Sequence, residues 1–159
     1  MPSLKTPLVL LESNTAGQND AAITVLLNSL VAPYELELPA GTFQVAQGIR
    51  LTNVSDVTVF GQGAATVIVC TSKSAPLKAL NCERVTFRDF DVVTPWDEKK
   101  GAIDCNGVRV TKTSSNVTIT NVHVRQNTES GGTELIYGVA ESGSDGYCNG
   151  SSGTWRYGT

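Results

Sequence analysis

The chain has 159 residues, 40% of them hydrophobic and 17% charged, with a net charge of −3 at pH 7. That length suffices for one domain with its own core, and the acidic balance excludes a broad electrostatic attraction for a phosphate backbone. No apolar run is long enough to span a bilayer, and a single histidine with no CxxC pair among Cys70, Cys82, Cys105 and Cys148 argues against a zinc site.

Residues 1–13 read as an N-terminal arm. The apolar run from Pro7 to Leu11 is too short for the core of a signal peptide, so the chain is expected to fold without export by the general secretory route. A helix is predicted at about 20–31, with Asn19 or Asp20 as its capping residue, Ile23, Leu26, Leu27 and Leu30 on one face, and Pro33 beyond its end. Two short strands follow, YELEL and TFQV, around the turn PAG.

From residue 48 the chain repeats itself. GIRLTNVSDVTVFGQG at 48–63 returns as GVRVTKTSSNVTITNVHVRQ at 107–126, and LNCERVTFRDFDVV lies between them. The shared signature is Val57-Thr58-Val59, Val85-Thr86-Phe87 and Val117-Thr118-Ile119, at steps of 28 and 32 residues. Alternation sends the apolar members of each triplet to one side and the threonine to the other. A short alternating strand follows each time, as in Phe90 and Val92 or Val122 and Val124. The corners are too short for helices. With the doubtful exception of CNG at 105–107 they also lack the two-residue loops of antiparallel hairpins, so equivalent strands are expected to stack in parallel. The reading is an all-β chain: a short right-handed parallel β-helix, a solenoid of about four rungs over residues 14–140, with a helix capping its N-terminal end. Residues 141–159, rich in Gly and Ser, form a C-terminal extension that builds no core of its own.

The order of helix, LPAGTF, GIRL, SDVTVFGQG and SSNVTITNVHV resembles the right-handed parallel β-helix proteins of the pectin-lyase-like superfamily, in style those of bacteriophage tailspikes and related virion proteins. The resemblance covers roughly residues 14–128. It implies three β-helices side by side, hence a homotrimer, and a place in a virus particle built in a bacterial cytoplasm. There the chain would be a non-enzymatic capsid-decorating, cement or tail-associated protein that binds neighbouring coat or tail subunits. Cysteines kept as small buried thiols suit folding in a reducing compartment. The alternative is a tailspike-like or pectate-lyase-like protein that binds or degrades polysaccharide, because this architecture hosts lyases and hydrolases as well as structural trimers.

Glycan cleavage would need carboxylates a few ångströms apart on an outer face. The candidates are Asp89 and Asp91 in FRDFD, steadied by Arg88, with Asp104 one repeat on; turn residues with solvated carboxylates are the simpler reading. The polygalacturonase-type motifs of the superfamily, an Asp-Asp pair, Gly-His-Gly and Arg-Ile-Lys, have no counterpart, so no residue is assigned as catalytic. His123, between Val122 and Val124, is expected to face outward. Arg50 and Arg109 hold matching places in their repeats, as a clamp for a sugar carboxylate or a partner contact. Trp96 in its charged loop, and Tyr147, Trp155 and Tyr157 in the tail, are the aromatic candidates for holding a neighbouring subunit. No metal, cofactor, nucleic acid or membrane partner is expected.

Overall fold

Valine, isoleucine and threonine alternate over 55–60, 83–88 and 115–120, which suits a pleated strand with one buried face. In the structure, a computed structural model, all three segments are strands, and they lie side by side. It describes residues 4–7, 10–28, 33–72, 77–95, 108–111 and 114–127, together with four short strands between 133 and 157. The described residues are all-β with one helix, and their strands form two sheets in which most pairs are parallel.

The first sheet is organised around three long strands, β5 (Ser55–Cys70), β7 (Glu83–Pro95) and β9 (Ser115–Asn127). Their register aligns Val57, Val85 and Val117, then Val59, Phe87 and Ile119. Two shorter strands, β2 (Tyr34–Glu37) and β3 (Gly41–Val45), pair in parallel with the first and second halves of β5. The second sheet stacks β4 (Ile49–Thr52), β6 (Leu77–Leu80), β8 (Val108–Thr111) and β11 (Val139–Ser142), again in parallel. Each repeat therefore adds one long strand to the first sheet and one short strand to the second. The short strands expected within each repeat are continuous here, because the bend at Asp89 or Asn121 occupies a single residue and the ladder resumes beyond it.

Inward residues form columns. Leu36, Val59, Phe87 and Ile119 make one, and all are at most 1% exposed. Ile49 and Leu77 of the second sheet are paired, fully buried and part of the same core. Removing a large member such as Phe87 to Ala would cost about 3–5 kcal/mol, the usual loss for a buried aromatic.

The corners are held by backbone conformation and side-chain ladders. Asp56, Arg84 and Asn116 occupy equivalent positions with φ of 59°, 52° and 52°, the left-handed region that Asn and Asp tolerate best. Arg84, the unusual member, is clamped to Asp56 by Nε–Oδ1 and Nη2–Oδ2 contacts of 2.6 and 2.9 Å. Three residues earlier in the chain, Asn53 and Asn81 also stack, and Asn81 Nδ2 donates to Asn53 Oδ1 at 2.7 Å. Inside the same corner, Ser114 Oγ accepts from the Cys82 N–H at 3.0 Å and donates to the Ala79 carbonyl at 3.2 Å. Gly61 is required by close approach: a Cβ there would lie 2.7 Å from the Asp89 carbonyl oxygen of the next repeat.

The helix α1 spans Ala16–Leu27, four residues earlier at each end than the predicted 20–31. Thr15, not Asn19 or Asp20, is its N-cap, in a capping box with Gln18. Asn19 and Asp20 lie inside the helix because their side chains are used elsewhere. Asn19 is fully buried and its Nδ2 donates to the Gln44 carbonyl at 2.9 Å, while its Oδ1 accepts from the Leu11 N–H at 3.2 Å. The Asp20 carboxylate accepts from three successive backbone N–H groups, those of Ala46, Gln47 and Gly48, at 3.0, 2.7 and 2.9 Å. The helix thereby fixes the bend between β3 and β4 and covers the first end of the core with Ile23, Leu26 and Leu27.

The two termini are drawn into the sheets. In the N-terminal arm, β1 (Leu4–Pro7) pairs in parallel with β2. At the far end the pairing turns antiparallel: β10 (Thr133–Glu134) and β13 (Thr154–Tyr157) both lie against β9, and β12 (Tyr147–Cys148) lies against β11. The 141–159 segment thus contributes strands to both sheets.

Asp20→Ala is expected to lower stability by about 2–3 kcal/mol, since hydrogen bonds to a charged acceptor are among the stronger ones and three donors are orphaned. Urea unfolding should show a lower midpoint with an unchanged slope. A loss below about 0.5 kcal/mol would contradict the assigned role of this carboxylate.

Candidate functional site

Two groups of polar side chains stand out from the ladder, one on each sheet. The first contains the expected acids. Asp89 sits at the bend between the two halves of β7, with φ of 60°, stacked on Asn121 at φ of 51°. Its Oδ2 takes a hydrogen bond from Arg88 Nη1 at 2.6 Å and its Oδ1 takes one from Asn121 Nδ2 at 3.1 Å. The Arg88 hydrogen bond, followed by that from Asn121, lowers the Asp89 pKa below the ordinary aspartate value. Arg88 also lies over the Phe60 ring, 4.5 Å from its centroid.

Asp91 is placed differently, on the outer side of the strand that follows the bend. Its side chain is 12% exposed, and its Oδ1 lies 3.4 Å from Nδ1 of His123, which is 50% exposed and directly cross-strand. His123 therefore faces outward, as alternation requires. Asp89 and Asp91 do not converge: one is bound into the corner ladder and the other faces the neighbouring repeat's histidine. Asp104, the third candidate acid, and Trp96 lie outside the described residues, as does the CNG segment. A comparable ionic corner links Asp56 to Arg84, whose hydrogen bond is the main cause of a lowered Asp56 pKa; Arg84 also pairs with Glu83. Asp56 and Asp89 are each engaged by an arginine, and Asp89 by the Asn121 amide of the next repeat as well. A general acid needs instead a raised pKa and an open approach to substrate.

The second group lies on the other sheet. Arg50 pairs with Lys78 and Lys78 with Arg109, so the two arginines picked out by the sequence belong to one in-register column whose centre is a lysine. Arg50 is exposed and Lys78 half-buried. Lys78 escaped sequence reasoning because LKAL at 77–80 lacks the glycine and the basic-apolar-threonine ending of GIRLT and GVRVT. Its signal was position, an apolar-Lys-apolar alternation at the place where the middle repeat required a matching strand. Beside Arg50, a groove of about 330 Å³ opens between the last turns of α1 and β4, lined by Thr24, Asn28, Gln47 and Thr52 with Leu27 and Val54.

The aromatic candidates in the tail are placed by pairing. Tyr147 is opposite Ala140, Trp155 opposite Ile119 and Tyr157 opposite Val117, so the backbone of these segments is paired within the chain. Cys70 and Cys82 are buried free thiols, and burial pushes the pKa of each upward, which makes them poor nucleophiles. Among the described residues, no group of three His, Cys, Asp or Glu side chains is placed to hold a metal ion, and no helix is long and apolar enough to cross a membrane. Comparisons with protein-family models, with curated proteins and with solved structures return no match.

Because Asp56 and Asp89 have lowered pKa values in the folded state, their stabilising effect is complete above the ordinary aspartate pKa of 3.8 and is lost as pH falls through the folded values. The double variant Asp56→Asn/Asp89→Asn keeps residues that accept the left-handed backbone but cannot titrate. Its thermal midpoint should fall less steeply than the parent's on acidification below pH 3.8. Parallel curves for the two proteins would contradict the assignment.

Proposed function

We propose that the two parallel sheets close around a single core as a short right-handed parallel β-helix, and that the protein is a non-enzymatic structural component of a virus particle. In this reading it is a trimeric capsid-decorating or tail-associated protein, made in a bacterial cytoplasm, that binds neighbouring coat or tail subunits. The observation that carries the reading is the use made of the acids. Asp89, one of the three acids on which a glycan-cleaving site would draw, is spent on joining one repeat to the next, as Asp56 is at another corner.

A second observation supports lateral assembly. The outward positions on the second halves of β5 and β7 include Val67, Val69 and Val93, only half-buried in the single chain, on a face where parallel sheets are normally covered by a further layer. Copies of the same chain packed through this band would supply that layer, with threonine and glutamine at the β3 end as a rim of low desolvation cost. Buried thiols at Cys70 and Cys82 suit folding in a reducing compartment.

Light scattering of the purified protein should give a mass three times that of the 16.8 kDa chain. Val69→Lys should reduce it to one chain without loss of the folded state, because a buried unpaired ammonium is costly in such an interface. A parent protein that runs as a monomer and is absent from purified particles would overturn this reading.

A further inference from the structure

At the first end of the stack the strand edges are treated differently. The edge of β2 is paired with β1. That of β3 is met by side chains: Glu12 Oε1 accepts from the Thr42 N–H at 2.7 Å, and Asn19 Nδ2 donates to the Gln44 carbonyl at 2.9 Å. The bend after β3 is held by the Asp20 carboxylate, whose last donor along the chain is the Gly48 N–H. Beyond Gly48 comes β4, which ends the second sheet and pairs only with β6 among the described strands.

In a parallel ladder the N–H and C=O of one residue point to the same side, and successive residues alternate. The Asn53 N–H donates to the Leu80 carbonyl of β6, so Ile49 and Leu51 also turn their backbone groups to β6. Arg50 and Thr52 turn theirs the other way, to the side on which Gly48 meets Asp20. Among the described residues, nothing is bonded to those two N–H and two C=O groups. An unpaired edge of this kind is a template for a further strand. The groove beside it follows β4, with Gln47, Gly48, Arg50, Leu51 and Thr52 in its lining, and the half-buried Leu27 and Val54 give it an apolar part.

The chemistry of the occupant follows from pairing. A residue opposite Arg50 puts its side chain on the same outward face. Arg50 is exposed, and among the described residues no carboxylate lies within ion-pair distance of it, so the complementary residue is Asp or Glu. The residues before and after that acid turn inward, where Leu27 and Val54 call for apolar side chains. Neither end of a second copy fits. MPSLKTP at 1–7 and YCNGSSGTWRYGT at 147–159 contain no acid, and both already supply strands within the chain.

We propose that the edge of β4 binds an extended acidic segment of another protein, of the pattern apolar-acidic-apolar and matching the four residues of β4, which adds a strand to the second sheet. Backbone bonds to Arg50 and Thr52 supply the pairing, and the Arg50 side chain selects the acid. Lateral assembly through the band on β5 and β7 would not involve this edge.

The probe is the peptide acetyl-STVEVTS-amide, titrated to millimolar concentration into the isotopically labelled full chain and followed by NMR. The Arg50 and Thr52 amide signals should move downfield and gain protection from solvent exchange, with smaller changes at Leu51, whose N–H already faces β6. Replacing the peptide's Glu by Lys should weaken binding about fivefold, and Arg50→Glu should reverse that preference, the scale of an exposed ion pair exchanged for a like-charge pair. Two N-methylated peptides, one modified at both valines and the other at the Glu and the Thr after it, should behave differently. One should lose binding and the other keep it, because only alternate residues face the strand. Thr24→Tyr, on the exposed side of α1, should fill the groove and remove binding with the thermal midpoint kept. Unmoved Arg50 and Thr52 amides, an unreversed preference in Arg50→Glu, equal effects of the two methylation patterns, or tighter binding of a peptide copying residues 1–7 would each overturn the proposal.

Discussion

Parallel pairing at constant register obliges every repeat to turn at the same place with the same backbone shape. That constraint explains most of the other features. Asp56, Arg84 and Asn116 share a left-handed conformation because Val57, Val85 and Val117 must begin their strands in line. The bends at Asp89 and Asn121 match for the same reason before Phe90 and Val122. Where repeats differ in length, the excess is placed outside these positions. One part is the irregular stretch between Phe60 and Val67, and another is the longer connection between β7 and β8. The side-chain ladders follow from the stacking, since a polar residue at a corner finds its equivalent one strand spacing away.

The same rule shapes the surface. A residue type that recurs at one position of the repeat becomes a stripe on the outside. Thr58, Thr86 and Thr118 form one such stripe, and Arg50 and Lys78 lie in register on the other sheet. Functional groups on this architecture are therefore better sought as columns than as local motifs. Asp89 and Asp91 looked like a pair because they are two residues apart, yet Asp89 is the bend itself and Asp91 belongs to the strand beyond it. The ends obey a different requirement. An open stack exposes both core and strand edges. Here α1 covers the first end, bonded to it through Asn19 and Asp20, while β10, β12 and β13 pair with the last strands.

Much of this was legible in the sequence wherever a residue's role was set by its own repeat. The Val-Thr-apolar triplets gave the strand pairing, their inward faces and the parallel order. The outward aspect of His123 followed from Val122 beside it. What escaped was set by distant contacts. Asn19 and Asp20 look like helix caps locally, but their partners are the backbone at 44–48, and Thr15 fills the cap. Arg84 gives no local sign of a left-handed corner, because its tolerance there comes with the Asp56 ion pair from the preceding repeat. The tail strands are too short for periodicity to show: β12 has two residues and the alternation Thr154-Trp155-Arg156-Tyr157 only four.

The most direct test of the in-register parallel stack is measurement of cross-strand proton contacts by NMR on isotopically labelled protein. Val57, Val85 and Val117 should show the Hα-to-amide contacts of successive parallel neighbours, with Phe87 linked to both Val59 and Ile119. Close Hα–Hα contacts between these strands, as antiparallel pairing produces, or a register displaced by even one residue, would contradict the account.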